Sequence, residues 1–268
     1  HTFGLLSGCF IPAQDIAVMR SYWRHRNGLC DACAQQIHLM QKALDLMNLH
    51  LHKVLSDITG KSGFAIMRAM IAGQRDPATL AAMTMKGVKA SREEIIKGLT
   101  GDYRSEHLFA LKQAIELYDV FQEKIAACDQ ELEACFKTFE SKVTIEAKSS
   151  KGRKRRKNQP HFNLDCELYR ITGVDLTKIN GIDSSTAQSV ISEIGFDMSR
   201  FPSEKQFCSW LGLCPHNKIT GGQLFKHITP GFANGGDCRL RFTILITSVE
   251  HAVAGRRPGA GASRARHR

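Results

Sequence analysis

The sequence has no run of about 18 apolar residues, so it offers no span for a bilayer. Nothing at its start reads as a secretory signal. Acid is scarce relative to base: 26 Asp and Glu face 37 Lys and Arg, a net charge of +11 and a pI near 9.3. Such an excess speaks to partners rather than fold and favours a polyanion, either nucleic acid or an anionic membrane surface. A zinc framework is also missing. Cys30 and Cys33 form a CxxC, but no second pair follows at zinc spacing. The nine cysteines are odd in number and scattered through helical pattern, which suits a reducing cytoplasm and not a disulfide scaffold. Cys128 and Cys135, seven apart on one helix face, read as small buried apolar side chains. No metal site is expected from these residues.

What is present is enough for a core. The 268 residues are 43% apolar, which allows two modest domains or one elongated one. The chain opens with His1 in "HTFGLLSGCF", which reads as mid-protein and predicts a missing N-terminal part.

From residue 13 to 58 the pattern predicts one long helix or two abutting ones. Cys33, Ile37, Met40, Leu44, Met47, Leu51, Val54 and Ile58 recur in steps of four and three, a heptad seam, and Gly60 supplies a stop. A second long helix is predicted over about 105–145, where Leu111, Tyr118, Ile125, Leu132 and Phe139 recur every seven residues. Leu108, Ile115, Phe121, Cys128 and Cys135 flank that row, and the Tyr118 hydroxyl can reach the seam's edge. Two such helices should pack antiparallel or pair between subunits. His50 and His52, two apart, should not face each other on a helix and read as surface residues. Between the long helices, "DPATLAAM" places Asp76 at an N-cap before Pro77, and "SREEIIKGL" is a capping box of Ser91 and Glu94. Residues 62–100 are thus a helical connector at the tip of a hairpin.

Composition then changes. "KSSKGRKRRKNQP" holds Lys148, Lys151, Arg153, Lys154, Arg155, Arg156 and Lys157. Charges this dense repel and cannot build a core, so residues 148–160 are a flexible linker, either a solvated boundary or a grip on phosphates. A second domain is expected over 161–251. "LTKINGIDSSTAQSVISEIG" has the shape of a helix-hairpin-helix: Ile179-Asn180-Gly181-Ile182 forms the hairpin, and Asp183 or Ser184 caps the next helix. Ala187, Val190, Ile191 and Ile194 give that helix a buried face, and Gly195 ends it. Gly181 lets the backbone approach a phosphate, and free N–H groups at the helix start would bind it. Ser203 and Gln206 read as a further capping box, with Phe207, Trp210 and Leu211 facing a core. Pro215 then opens a loop in which Lys218, Thr220, Gly221 and Gly222 are candidates for nucleic-acid contact. Residues 252–268, nearly all Gly, Ala and Arg, carry no period and predict a disordered tail. The fold class expected is mainly α: a long antiparallel coiled-coil hairpin over 1–147, then a small helical domain.

Taken in order, "RSYWRHR", "AGQRDP", "EHLFALKQAIELYD" and the run from Gly173 to Gly222 resemble the insertion-sequence transposases of the IS one-ten family, the bridge-RNA-guided recombinases. The resemblance spans about residues 1–235. It implies a RuvC-like domain with acidic metal ligands, of which only the end would remain at 1–12, then a coiled coil and a C-terminal transposase domain with a helix-hairpin-helix. It implies DNA and a bridge-type guide RNA as partners, self-association through the coiled coil, and work at the nucleoid in the cytoplasm. In the intact enzyme, carboxylate-bound Mg²⁺ would activate a phosphodiester for attack by a serine that precedes Gly-Gly. That serine falls at Thr220, with Gly221 and Gly222 matching and Gln223 in place of a basic residue. An Asn-Arg-Ala-Ala-like helix start is replaced by Asn234-Gly235-Gly236-Asp237. With its acidic domain missing, this chain carries no cofactor of its own and should not cut DNA alone. A non-catalytic coiled-coil regulator of the full-length enzyme is the alternative. An independent nuclease using Thr220 is disfavoured, because no carboxylate cluster stands beside it and the extra methyl crowds the phosphate.

Overall fold

The computed structural model describes residues 13–85, 87–143, 158–197, 199, 201–203, 205–207, 216–220 and 223–228. The basic linker from Lys148 to Lys157, Gly221, Gly222, Trp210, Leu211, and the segments 1–12 and 252–268 lie outside them. The chain is mainly helical and divides into two units, residues 24–132 and residues 1–23 with 133–268.

In the first unit the long helices α1 (Gln14–Leu46) and α6 (Ser105–Thr138) run antiparallel. Arg26 pairs with Asp129, and Gln122 Nε2 donates to Cys33 Sγ at 3.1 Å. Seven residues forward on α1 are thus seven residues back on α6. The predicted seam is the core: Met40, Leu44, Met47, Leu51, Leu111 and Leu132 are fully buried, and Ile58, Tyr118 and Ile125 nearly so. The Tyr118 ring packs 5.0 Å from that of Phe64.

The seam outlasts its helix. α1 stops at Leu46 because Asn48 takes a left-handed φ of +56°. Asn48 N–H donates to Asp45 O and Leu49 N–H to Leu44 O, both at 2.9 Å. This is the Schellman pattern, sealed by burial of Leu44 and Leu49 in one cluster. Met47, Leu51 and Ile58 reach the same core from the turn, from the short α2 (Leu51–Val54) and from beyond it. Gly60 is therefore not a helix stop but the N-cap of α3 (Lys61–Ile71). His50 and His52 are half-buried rather than on the surface. His50 is the N-cap of α2, outside helical geometry, so the rings lie edge to face at 6.1 Å, and His52 Nδ1 stands 3.3 Å from Asp45.

The connector is helical as expected: α3, α4 (Pro77–Ala82) and α5 (Arg92–Gly98). Asp76 caps α4 through Ala78 and Thr79 N–H, and Ser91 and Glu94 make both bonds of their capping box.

The second unit adds α7 (Leu164–Thr172), a 3-10 helix (Leu176–Lys178), α8 (Ser184–Ile194) and a two-stranded antiparallel sheet of β1 (His216–Thr220) and β2 (Gln223–Ile228). Its described core joins Ile16, Met19, Trp23 and Phe136 to Leu164, Leu168, Ile171, Ile182, Ala187, Val190, Ile191 and Ile194. Trp23 Nε1 donates to Ser189 Oγ at 3.0 Å, so the indole of "RSYWRHR" anchors against α8.

α6 ends at Thr138, short of the expected 145, and a side chain from α7 closes it. Arg170 donates to Phe136 O at 2.6 Å and Phe139 O at 2.8 Å, and its guanidinium pairs with Glu167 at 2.8 Å. It satisfies carbonyls that a helix end leaves open. Arg170→Met should therefore destabilise the fold by about 2 kcal/mol, since charged hydrogen bonds to half-buried carbonyls are lost. Urea unfolding of the two proteins checks this.

Candidate nucleic-acid interface

The stretch from Asp175 to Asp183 is built by local bonds. Asp175 accepts from Thr177 N–H at 3.2 Å and Thr177 Oγ1 at 2.7 Å, which starts the 3-10 helix. Ile182 N–H then donates to Ile179 O at 3.1 Å, closing a turn over Asn180 and Gly181. Gly181 has φ +87°, the region a β-turn of type II demands at that position and glycine enters without strain. Ile182 is buried, whereas Lys178, Asn180 and Gly181 are exposed. The apolar residues anchor the turn and its polar tip faces water. Lys178, a cation at that tip, went unnoticed in the sequence although it directly precedes the Ile179–Ile182 hairpin.

Two expectations change here. The first limb of the helix-hairpin-helix is a three-residue 3-10 helix, too short for a paired α-helix. The start of α8 is also not an open set of donors. Asp183 accepts from Thr186 N–H at 2.8 Å and Thr186 Oγ1 at 2.7 Å, so a carboxylate already occupies part of that helix end. The Asn180-Gly181 tip, by contrast, is exposed.

Thr220 is the last residue of β1 and pairs in register with Gln223 of β2. Lys218 lies two positions before it in the same strand. Gly221 and Gly222 fall between the paired residues and outside the described ones. The Ser203–Gln206 box shows one arm, Gln206 N–H to Ser203 Oγ at 3.3 Å.

Charge divides unevenly. Residues 24–132 carry 14 Lys and Arg against 13 Asp and Glu, and the rest of the chain 23 against 13. Nearly all the excess therefore belongs to the second unit and its linker. Burial pushes the thiols of Cys30, Cys128, Cys135 and Cys166 up from their ordinary range, which keeps them protonated at neutral pH and poor as nucleophiles or ligands. Among the described residues no group of three or more His, Cys, Asp or Glu could hold a metal ion. No helix among them is long and apolar enough to cross a membrane.

A profile of the Transposase IS116/IS110/IS902 family matches residues 175–260, starting at the 3-10 helix and running through α8 and the β-hairpin. A probable family 20 transposase of Pseudomonas aeruginosa strain PAO1 is 35% identical over 110 residues, 41% of this chain and 29% of that protein. The matched part is thus less than a third of that relative's length. No solved structure matches. The turn, α8 and hairpin lie inside the matched segment, so it is residues 175–260 that are similar to the IS116/IS110/IS902 transposases.

Proposed function

We propose that this chain serves DNA transposition as part of a transposase that binds DNA and a guide RNA, the activity of the intact enzyme being strand cleavage and exchange. The family match over residues 175–260 carries the reading. The charge distribution supports it, because the segment from Lys148 to Lys157 and the second unit hold the cations a phosphate backbone needs. In this reading the linker cations, Asn180, Gly181, Lys218, Gly221 and Gly222 contact nucleic acid, and Thr220 occupies the place of the family's serine. Mg²⁺ belongs to the carboxylates of the intact enzyme.

A partner role for the first unit follows from its own balance. A nearly neutral antiparallel hairpin has little to offer a polyanion and suits association with another protein chain. Self-association, or pairing with a full-length transposase as its regulator, is therefore assigned to residues 24–132.

Binding to a DNA fragment should weaken steeply with salt. Replacing the seven cations from Lys148 to Lys157 by Gln should lower the slope of log affinity against log salt by about 0.9 for each one that touches a phosphate. Fluorescence anisotropy at several salt concentrations measures this. Absent or salt-insensitive binding by the unaltered chain would sink the proposal.

A further inference from the structure

Several cations of the second unit already stand beside a carboxylate. Arg170 pairs with Glu167 at 2.8 Å, Lys137 with Glu133 at 3.1 Å, and Arg20 lies 3.7 Å from Glu193. Lys142 does not. It is exposed, and among the described residues it makes no ion pair. An exposed lysine ordinarily wanders among many rotamers. Lys142 is instead held at both ends. Its N–H donates to Arg170 O at 2.9 Å. A Cβ added at Gly173 would meet Lys142 Cβ at 3.8 Å and Val143 Cγ2 at 3.7 Å, so this segment lies against the end of α7. Its Nζ stands over the Phe196 ring, 5.9 Å from the centre, and Phe196 is itself set edge to face against Phe139 at 5.2 Å. Asp197, the acid beside Phe196, accepts from Ser199 N–H at 2.9 Å. A cation preset over an aromatic face loses less freedom when it takes up an anion.

Its place in the chain agrees. Lys142 is six residues before Lys148, where the linker cations begin, and it packs against Gly173, seven residues before Asn180. We propose that Lys142 is a fixed contact for a phosphodiester of the nucleic-acid backbone at the root of the basic linker. Phe196 is then a positioning residue for that cation. The inference rests on the transposase reading and adds to it one ordered contact that composition and spacing leave unmarked.

The test uses the full chain with a DNA duplex and an RNA duplex of the same sequence, which share this chemistry. Lys142→Gln should lower the slope of log affinity against log salt by about 0.9 on DNA, or lower it on RNA if the phosphodiester is the guide's. Lys142→Arg should keep the slope. Phe196→Leu keeps the charge but removes the aromatic face, so it should weaken binding about two- to fivefold at an unchanged slope. A slope unchanged by Lys142→Gln on both duplexes, in a chain that binds them, overturns the contact. So does a slope lost equally in Lys142→Arg, or an unchanged affinity in Phe196→Leu. If the unaltered chain shows no salt-dependent binding to either duplex, the transposase reading itself fails and the contact falls with it.

Discussion

Asp129→Ala should destabilise the chain by about 3–5 kcal/mol, the cost of leaving a guanidinium buried without its carboxylate. The side chains of Arg26 and Asp129 are 3% and 1% exposed and are joined by Arg26 Nε donating to Asp129 Oδ1. Arg26 also reaches Cys30 Sγ at 3.7 Å, a weak acceptor that cannot replace a carboxylate. The pair itself contributes far less than its rupture costs, since desolvation offsets most of the attraction. Arg26→Met with Asp129→Leu should accordingly recover most of the loss. Urea denaturation of the single and double variants measures both values, and a double variant as unstable as Asp129→Ala would contradict this account.

The long helices were legible because their apolar residues repeat every three to four positions, and burial follows that row from Cys33 to Ile58 and from Leu111 to Leu132. Extending the heptads by one step shows the polar layers too. Arg26 opens the row of Cys33, Met40 and Met47, while Gln122 and Asp129 continue the row of Leu108 and Ile115. Each polar residue meets its counterpart only in the observed register, which is how polar groups in an apolar seam select an alignment. Helix ends were harder to place. Asn48 is a known C-terminal signal, yet an unbroken heptad pattern runs over it and hides the break. The connector helices, by contrast, were read correctly from Asp76, Ser91 and Glu94, because caps act between residues two or three apart.

The site was legible in part for the same reason. The Asn180-Gly181 turn and the end of α8 at Gly195 are local events with their own residue signals. The β-hairpin was missed although Gly221-Gly222 between Ile219-Thr220 and Gln223-Leu224 is a hairpin signal, because the surrounding helical pattern and Pro215 favoured a loop. That Lys218 of β1 pairs in register with Lys226 of β2 could not be read at all, since register depends on how the two strands pair and not on either strand alone.

Gly63→Ala should lower stability by about 3 kcal/mol, although helix propensity alone argues for a gain of about 1 kcal/mol. Gly63 is buried in the first turn of α3, where the helix passes over the chain leaving Ile58. A Cβ at Gly63 would stand 2.0 Å from Ile58 O and 2.6 Å from Ile58 C. The obstacle is backbone, which cannot turn aside as a long side chain can, so α3 or the Ile58 segment must move. Either shift disturbs Ile66, Met67 and Met70, all fully buried against the rest of the core. Gly28 provides the opposite case within the same unit: it is exposed in the middle of α1, and a Cβ there meets nothing within 4 Å. Gly28→Ala should stabilise by about 0.5–1 kcal/mol, because alanine loses less backbone entropy on folding. Thermal or urea unfolding of the two variants should therefore move in opposite directions. A shift of the same sign in both would mean that propensity, and not the close passage at Ile58, governs these glycines.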